Sequence, residues 1–490
     1  MSRKIAMLLT ASLLIAMLAG CSGDEPETTP PESDDPAAET TAVETTAEET
    51  GVSDDLGEYD FDGRQFQIVY SEDQLGELWP YAPEEENGDR LNDAAFARNM
   101  LVEERFNCAI GYTSTGGNSN EVSDELRNVV MAGDNTYQLA INHMYAGFTA
   151  AIADRLLYDF NDLPAINLDK PWWNQSIRKN LEVEGVLLTA VSDLIYGYYD
   201  VIYFNKDIMD NHGIAYPYEK VHDGTWTWTY LAEITKDITR DLNGDSKLNE
   251  SDAWGFVIDS NPSTMTRLIH SNGMVMASAG ENGRPTLDGM MSDKMHTVVE
   301  RYYDFVWNDD RCYYALRTGS LDITDMFLAG NSMMMHTQTF KLPQLRDADF
   351  AFGIVPLPKY DEAQEGYYSL ASTQMLLLPA NTEDPEFTGV VLEALSAESY
   401  RQVIPTLYDV VYENKLLRDE ESQEMFEIIR GTLVYDYNWN YGDGNDMSYL
   451  IGRTVGEKNA DLASYFASRA PAAQLKLDEV YDAIVEGYAD

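Results

Sequence analysis

The first apolar stretch of the chain runs from Ile5 to Ala19, broken only by Thr10 and Ser12 and preceded by Arg3 and Lys4. A spanning helix needs roughly 20 apolar residues, so a basic start followed by this shorter run reads as a secretory signal over residues 1–20. From Ser22 to Asp55 the pattern inverts. Thr, Glu, Pro and Ala dominate, twelve residues are acidic, and none is basic or aromatic. Such a segment has too little apolar surface to offset its chain entropy, which predicts an extended, disordered tether over residues 21–57.

Regular patterning begins near Tyr59. Asp62-Gly63 marks a turn, and Gln65–Tyr70 alternates like a strand. Asn92 or Asp93 is placed to cap a helix reaching Phe106, with Phe96, Met100, Val102 and Phe106 at helical spacing. Further strands are expected at Gln138–Ile141, Val186–Thr189, Val201–Phe204, Gly255–Ile258, Ser332–His336, Ala351–Ile354 and Met375–Leu378. Helices are expected at Thr227–Thr239 and Lys294–Val306, and a helix-rich tail follows Phe387. Strands alternating with helices at this pace predict an α/β protein with mainly parallel sheets. No fixed-period repeat is visible, which argues against a solenoid.

Composition narrows the partners. A net charge of −51 argues against nucleic acid or anionic lipid, since both demand a basic face. With 44% hydrophobic residues and eight tryptophans, the 490-residue chain supports a large folded body, and no second long apolar run appears. The apolar start closes on Leu18-Ala19-Gly20-Cys21, which resembles the bacterial lipobox, where cleavage precedes a cysteine that receives lipid. Cys21 is therefore the expected lipidation site, anchored by palmitate-type acyl chains at about 0.8 kcal/mol per buried methylene. Cys108 and Cys312 remain, either as independent buried thiols or as an extracellular disulfide.

Among local motifs, residues 241–252 (DLNGDSKLNESD) stand out. Asp241, Asn243, Asp245, Asn249 and Asp252 fall at loop positions 1, 3, 5, 9 and 12, with the Lys247 carbonyl at position 7. This is the oxygen spacing of an EF-hand-type calcium loop. It departs from the pattern at position 6, where Ser246 replaces the usual glycine, and at position 12, where Asp replaces Glu. A structural Ca2+ of weak, extracellular-grade affinity is the expectation, against the plainer reading of a solvated acidic turn.

Several tryptophans sit among turn residues, in Leu78-Trp79-Pro80-Tyr81, Pro171-Trp172-Trp173-Asn174, Gly224-Thr225-Trp226-Thr227-Trp228 and Tyr437-Asn438-Trp439-Asn440. Aromatic faces beside Asn and Asp suit sugars, whose C–H faces stack while their hydroxyls need polar partners. Catalytic patterns are absent: no Gly-x-Ser-x-Gly elbow, phosphate loop, His-Glu-x-x-His or dinucleotide fingerprint occurs, and the six histidines show no metal spacing.

The order of these segments resembles the extracellular solute-binding lipoproteins of ABC-type, chiefly sugar, importers. Its carriers are Asn92–Phe106, Pro171–Asn174, Tyr203-Phe204-Asn205-Lys206, Gly224–Trp228, Trp254-Gly255-Phe256, Phe327–Met334, Phe352–Lys359 and Leu392–Ser396. The resemblance implies a two-lobed periplasmic-binding-protein fold with crossing hinge strands. The first lobe would take residues 58–193 and 360–400, the second residues 194–359 and 401–490 with the helical tail. The chain would cross near Asp193 and return between Pro356 and Tyr368. It also implies a non-enzymatic, monomeric receptor on the outer face of the membrane, capturing a mono- or oligosaccharide for an ABC permease.

Ligands of α/β folds lie at the carboxyl ends of strands. That rule selects Asn142, His143 and Tyr145 after one strand, and His336, Thr337 and Gln338 after another. Trp79, Trp173, Asp193, Tyr199, Trp228 and Trp439 are added as aromatic or polar cleft candidates. Two other readings stay open: a surface carbohydrate-active enzyme of the lyase or hydrolase kind, and a solute sensor without transport.

Overall fold

The computed structural model describes residues 52–72, 82–144, 146–195, 197–280, 282–308, 310–315, 322–413, 420–442, 446–459 and 461–488. Cys21, Trp79 and Tyr145 lie outside them. Two five-stranded sheets carry the architecture. In the first, Arg64–Tyr70 lies between Cys108–Ser114 and Leu139–His143, parallel to both. Ser372–Leu377 then pairs antiparallel with Leu139–His143, and Gly197–Tyr198 closes the sheet antiparallel to it. In the second, Ser332–Gln338 runs parallel to Trp254–Asp259, which runs parallel to Cys312–Ala315. Asp200–Asn205 pairs antiparallel with both Ser332–Gln338 and Phe352–Pro356. Four strands of each sheet thus run in one direction, as expected of mainly parallel sheets, and only the strand arriving from the other sheet, Ser372–Leu377 in the first and Asp200–Asn205 in the second, runs in reverse.

The β-branched and aromatic strands form where the pattern predicts, and Phe66, Ile68, Ile202, Phe204, Phe256 and Ile354 are fully buried. Helices cover the sheets and satisfy their apolar faces. Where the boundaries move, tertiary contacts explain it. The helix Arg90–Phe106 starts at an Asp89 cap whose carboxylate accepts the Leu91 and Asn92 N–H groups, and it buries Leu91, Ala95, Val102 and Phe106 while Met100 faces solvent. Val186–Thr189 forms no strand: Val186 makes an isolated bridge with Val183, and the next residue, Ala190, one with Leu376.

The described chain is ordered six residues before the expected end of the tether. Asp54 is buried and accepts Arg105 Nη1 at 2.6 Å and Arg401 Nη1 at 3.3 Å, while Lys170 reaches Asp55 at 2.5 Å. These ion pairs fasten residues 52–57 to the body, so the acidic composition that predicts disorder there supplies counter-ions instead.

One extended segment joins the sheets. Gly197–Tyr198 belongs to the first sheet and Asp200–Asn205 to the second, so the chain passes between them at Tyr199, six residues beyond Asp193. It returns between Pro356, the end of a second-sheet strand, and Ser372, the start of a first-sheet strand. Later elements are divided between the two. Ile404–Glu413 packs on the Arg90–Phe106 helix, Glu420–Arg430 packs on Phe352–Pro356, and the long Leu462–Tyr488 helix touches both Phe148–Ala153 and Pro285–Thr286.

The crossing is pinned by a buried charge. Asp200, 1% exposed, accepts Arg267 Nε at 3.1 Å and Nη2 at 3.2 Å, and its Oδ1 lies 3.1 Å from His336 Nε2. Burial alone would raise this carboxyl, but the neighbouring Arg267 and His336 outweigh it and hold the group down at about 2. Its backbone N–H donates to Ser369 Oγ on the returning segment. Cys108 and Cys312 are both free and buried, one in each sheet, and burial pushes the Cys108 thiol up to about 11.

Candidate functional site

The register places the strand ends of both sheets at the crossing. His143, at the carboxyl end of its strand, lies opposite Gln374, and two residues earlier on that partner strand Ser372 lies opposite Tyr198. In the second sheet Gln338, at the carboxyl end of its strand, lies opposite Asp200. The carboxyl end of the second-sheet strand therefore meets the crossing segment directly, and that of the first-sheet strand reaches it through Ser372–Leu377.

Side chains alternate across an extended backbone, so the crossing segment has two faces. Tyr198 packs edge-on against Phe340 with ring centroids 5.5 Å apart. Phe340 follows Gln338 by two residues and is 37% exposed, one of the few exposed large apolar side chains among the described residues. Tyr199 turns the other way, edge-on to Phe426 at 6.2 Å. On that side lies a cavity of about 590 Å³. Ile195, Gly197 and Tyr199 line it with the i, i+2 spacing of one strand face. Trp172, Trp173 and Asp193 add to the wall from the first-sheet side, and Glu427 and Arg430 come from the helix packed on the second sheet.

This rear cleft rests on two carboxyl groups, Glu393 buried and Asp193 part-buried. Glu393, wholly buried, accepts Trp172 Nε1 at 3.1 Å and Trp173 Nε1 at 2.9 Å. Its helix, Pro385–Glu398, approaches the 160s loop closely because Gly389 leaves no side chain to meet the Pro164 carbonyl oxygen. Burial pushes Glu393 up to about 7 against the lowering effect of the indole donors. Asp193 accepts Arg430 Nη2 at 2.5 Å, and burial raises its carboxyl in spite of that guanidinium.

The expected site residues therefore separate. Trp173, Asp193 and Tyr199 meet in the rear cleft, whereas His143 and Gln338 lie at the strand ends on the other side. Four others are structural. Asn142 spends its amide on Ser123 Oγ and the Ala146 carbonyl, and its Oδ1 accepts the His143 N–H. His336 is wholly buried beside Asp200. Trp228, 2% exposed, donates to Ser271 Oγ and packs against Tyr302 and Phe305. Trp439, also 2% exposed, sits inside the Tyr437–Tyr441 helix. The two tryptophan corrections share a cause: an indole next to turn residues reads as a surface platform, yet its large apolar area is buried from the turn inward.

Sequence reasoning passed over Tyr198, Phe340, Arg430 and Glu393. Extending the strand-end rule by two residues reaches Phe340, and the lone acid in the apolar run Val390–Ala397 marks Glu393 as a buried acceptor. Nothing in the pattern singles out Arg430.

In the 241–252 loop Ser246 adopts φ +65°, the left-handed turn normally given to glycine. Asp241 accepts the Gly244 and Ser246 N–H groups, Asn243 that of Asp245, Asp245 that of Lys247, and Asn249 that of Ser251. Both Asp252 oxygens are taken, by Leu242 and Asn249 N–H. The donors of the calcium motif are thus arranged in the motif's own turns. No group of three or more His, Cys, Asp or Glu among the described residues is placed to grip a metal.

Residues 104–396 match the model of the bacterial extracellular solute-binding protein family, more than half of the chain, and the protein belongs to that family. Its members are solute-binding receptors, not enzymes, so the reading as a lyase or hydrolase falls. Solved structures with the same fold include UspC of M. tuberculosis, with TM-score 0.57 and 15% identity over 84% of this chain and 100% of that one. A sugar transporter protein from Rhizobium etli in an open conformation gives TM-score 0.56 and 13% identity over 85% and 98%. A cyclo/maltodextrin-binding protein complexed with maltotetraose gives 0.54 and 14% over 87% and 99%. No curated protein matches in sequence. Among the described residues no helix is long and apolar enough to cross a membrane.

The Glu393 carboxyl sets a pH signature. Its folded value, about 7, lies above the ordinary 4.5. The folded state therefore holds this proton more tightly, and the group's contribution to stability falls as pH rises from about 4.5 to about 7. Urea midpoints at pH 5 and pH 7 should differ less in Glu393→Gln than in the native protein. Equal differences in the two proteins would show that Glu393 is not the group responsible.

Proposed function

We propose that this protein is a lipid-anchored receptor that captures an extracellular carbohydrate between its two sheets and delivers it to an ABC importer. The observation that carries the reading is the Tyr198–Phe340 pair at the crossing, beside the strand ends bearing His143 and Gln338. The exposed Phe340 ring, near strand ends that carry amide and imidazole groups, offers what a sugar ring needs: stacking for its C–H face and directional partners for its hydroxyls. The solved relative holding maltotetraose supports a saccharide as the solute class. Closing on a ligand that touches both sheets would shift the population toward the closed form. Cys21 would supply the anchor, and residues 22–51 the spacing from the membrane.

A thermal-shift screen of the mature protein against mono- and oligosaccharides tests this. A binding sugar raises the melting temperature, since it stabilises only the native state. Phe340→Ala should weaken that sugar about tenfold, roughly 1.4 kcal/mol, without lowering the melting temperature of the ligand-free protein by a comparable amount. Unaltered affinity in that variant would sink the placement of the solute at this pair.

We also propose that the 241–252 loop holds a structural calcium ion through Asp241, Asn243, Asp245, the Lys247 carbonyl, Asn249 and Asp252, with Kd on the order of 10⁻⁴ to 10⁻³ M. The left-handed Ser246 turn and the inward-folded Asx turns support this reading. Millimolar calcium should raise the melting temperature of the native protein and not that of the double variant Asp241→Ala, Asp245→Ala. The same rise in both proteins excludes the loop.

A further inference from the structure

We infer that the cleft behind the crossing strand is a second binding site, for a polyhydroxylated small molecule of the saccharide class, separate from the solute site on the Tyr198 face. The inference stands on the rear cavity itself and does not depend on the solute being held at Tyr198 and Phe340.

Its volume, about 590 Å³, lies within the range of small-molecule sites, roughly 300–1,000 Å³. Its chemistry is mixed in the manner that hydroxylated ligands require. Tyr199, Tyr368 and Tyr400 contribute aromatic surface, and Lys179 and Arg430 contribute donors. Asp193 contributes a carboxyl to the wall, its Oδ1 accepting Arg430 Nη2. An anionic ligand would meet both Asp193 and Glu427, and a cationic one both Lys179 and Arg430, so the balance of charge favours a neutral, hydroxyl-rich molecule.

The walls are also firm. Glu393 fixes both tryptophan indoles, and Asp193 is held at its backbone by the Trp172 carbonyl at 2.9 Å. The first-sheet wall is therefore preformed, which reduces the ordering cost of binding. The opposite wall, Glu427 and Arg430, rides on a helix packed against the second sheet. A ligand here bridges elements of both sheets, so its binding is linked to how the sheets are set about the crossing. By reciprocity, whatever it does to solute affinity, solute does to its own.

Isothermal titration of the full mature protein with glucose, maltose and maltotetraose tests the inference, with each variant checked for native circular dichroism. Two saccharide-binding events are expected in the native protein. Lys179→Ala, and separately Asn180→Trp, which projects bulk from the cavity rim, should each weaken one event about tenfold, and Phe340→Ala should leave that event unchanged. One event that both rear variants leave intact overturns the second site, as does the absence of any event with all three sugars. A single event weakened only by the rear variants supports the rear site and instead contradicts the placement of solute at Phe340.

Discussion

A single buried carboxylate, Asp200, fixes where this chain bends. It is the first residue of the second-sheet strand, one step after the crossing at Tyr199, and it has no water to solvate it. An uncompensated charge at that depth would cost several kcal/mol, so its place depends on Arg267 and His336. Those partners come from a helix and a strand of the second-sheet side, while its N–H is tied to Ser369 on the returning segment. Both passages between the sheets are thereby registered to one point. Buried ion pairs contribute little net stability compared with apolar packing, but they penalise misregister heavily. That penalty is the useful property where two sheets must meet at a defined spot.

From that registration follows the assignment of faces. A slip of one residue along the crossing segment would exchange Tyr198 with Tyr199 and send each aromatic to the wrong side. With the register held, one face presents Tyr198 and Phe340 at the strand carboxyl ends, and the other closes over the cavity of Trp172, Asp193 and Arg430. Polar and aromatic groups are thus divided between a front and a rear whose walls belong to both sheets. A ligand that touches both sheets at either face would, under the proposed function, shift the equilibrium between lobe arrangements.

Much of the fold was legible in the sequence because apolar periodicity reports burial directly. The strands at 64–70, 200–205 and 332–338 were found within a few residues, and the ordered segments pointed to the family. What escaped was set by contacts distant in sequence. Residues 52–57 read as tether until Arg105, Arg401 and Lys170 supply their counter-ions. His336 read as a cleft residue because its partner Asp200 lies more than a hundred positions away. Trp228 and Trp439 read as platforms because local turn chemistry does not reveal what packs on the far side of an indole. Tyr199 and Asp193 read as cleft candidates, but strand parity sends Tyr199 to the rear, and parity cannot be assigned until the register is known.

The central claim is that ligand binding moves two sheet-bearing lobes about the Tyr198–Asp200 crossing. Small-angle X-ray scattering of the mature protein, with and without a saturating sugar identified by thermal shift, measures this most directly. The account predicts a smaller radius of gyration in the bound state, with the change in Phe340→Ala requiring about tenfold more sugar. An unchanged radius of gyration at demonstrated saturation would contradict it.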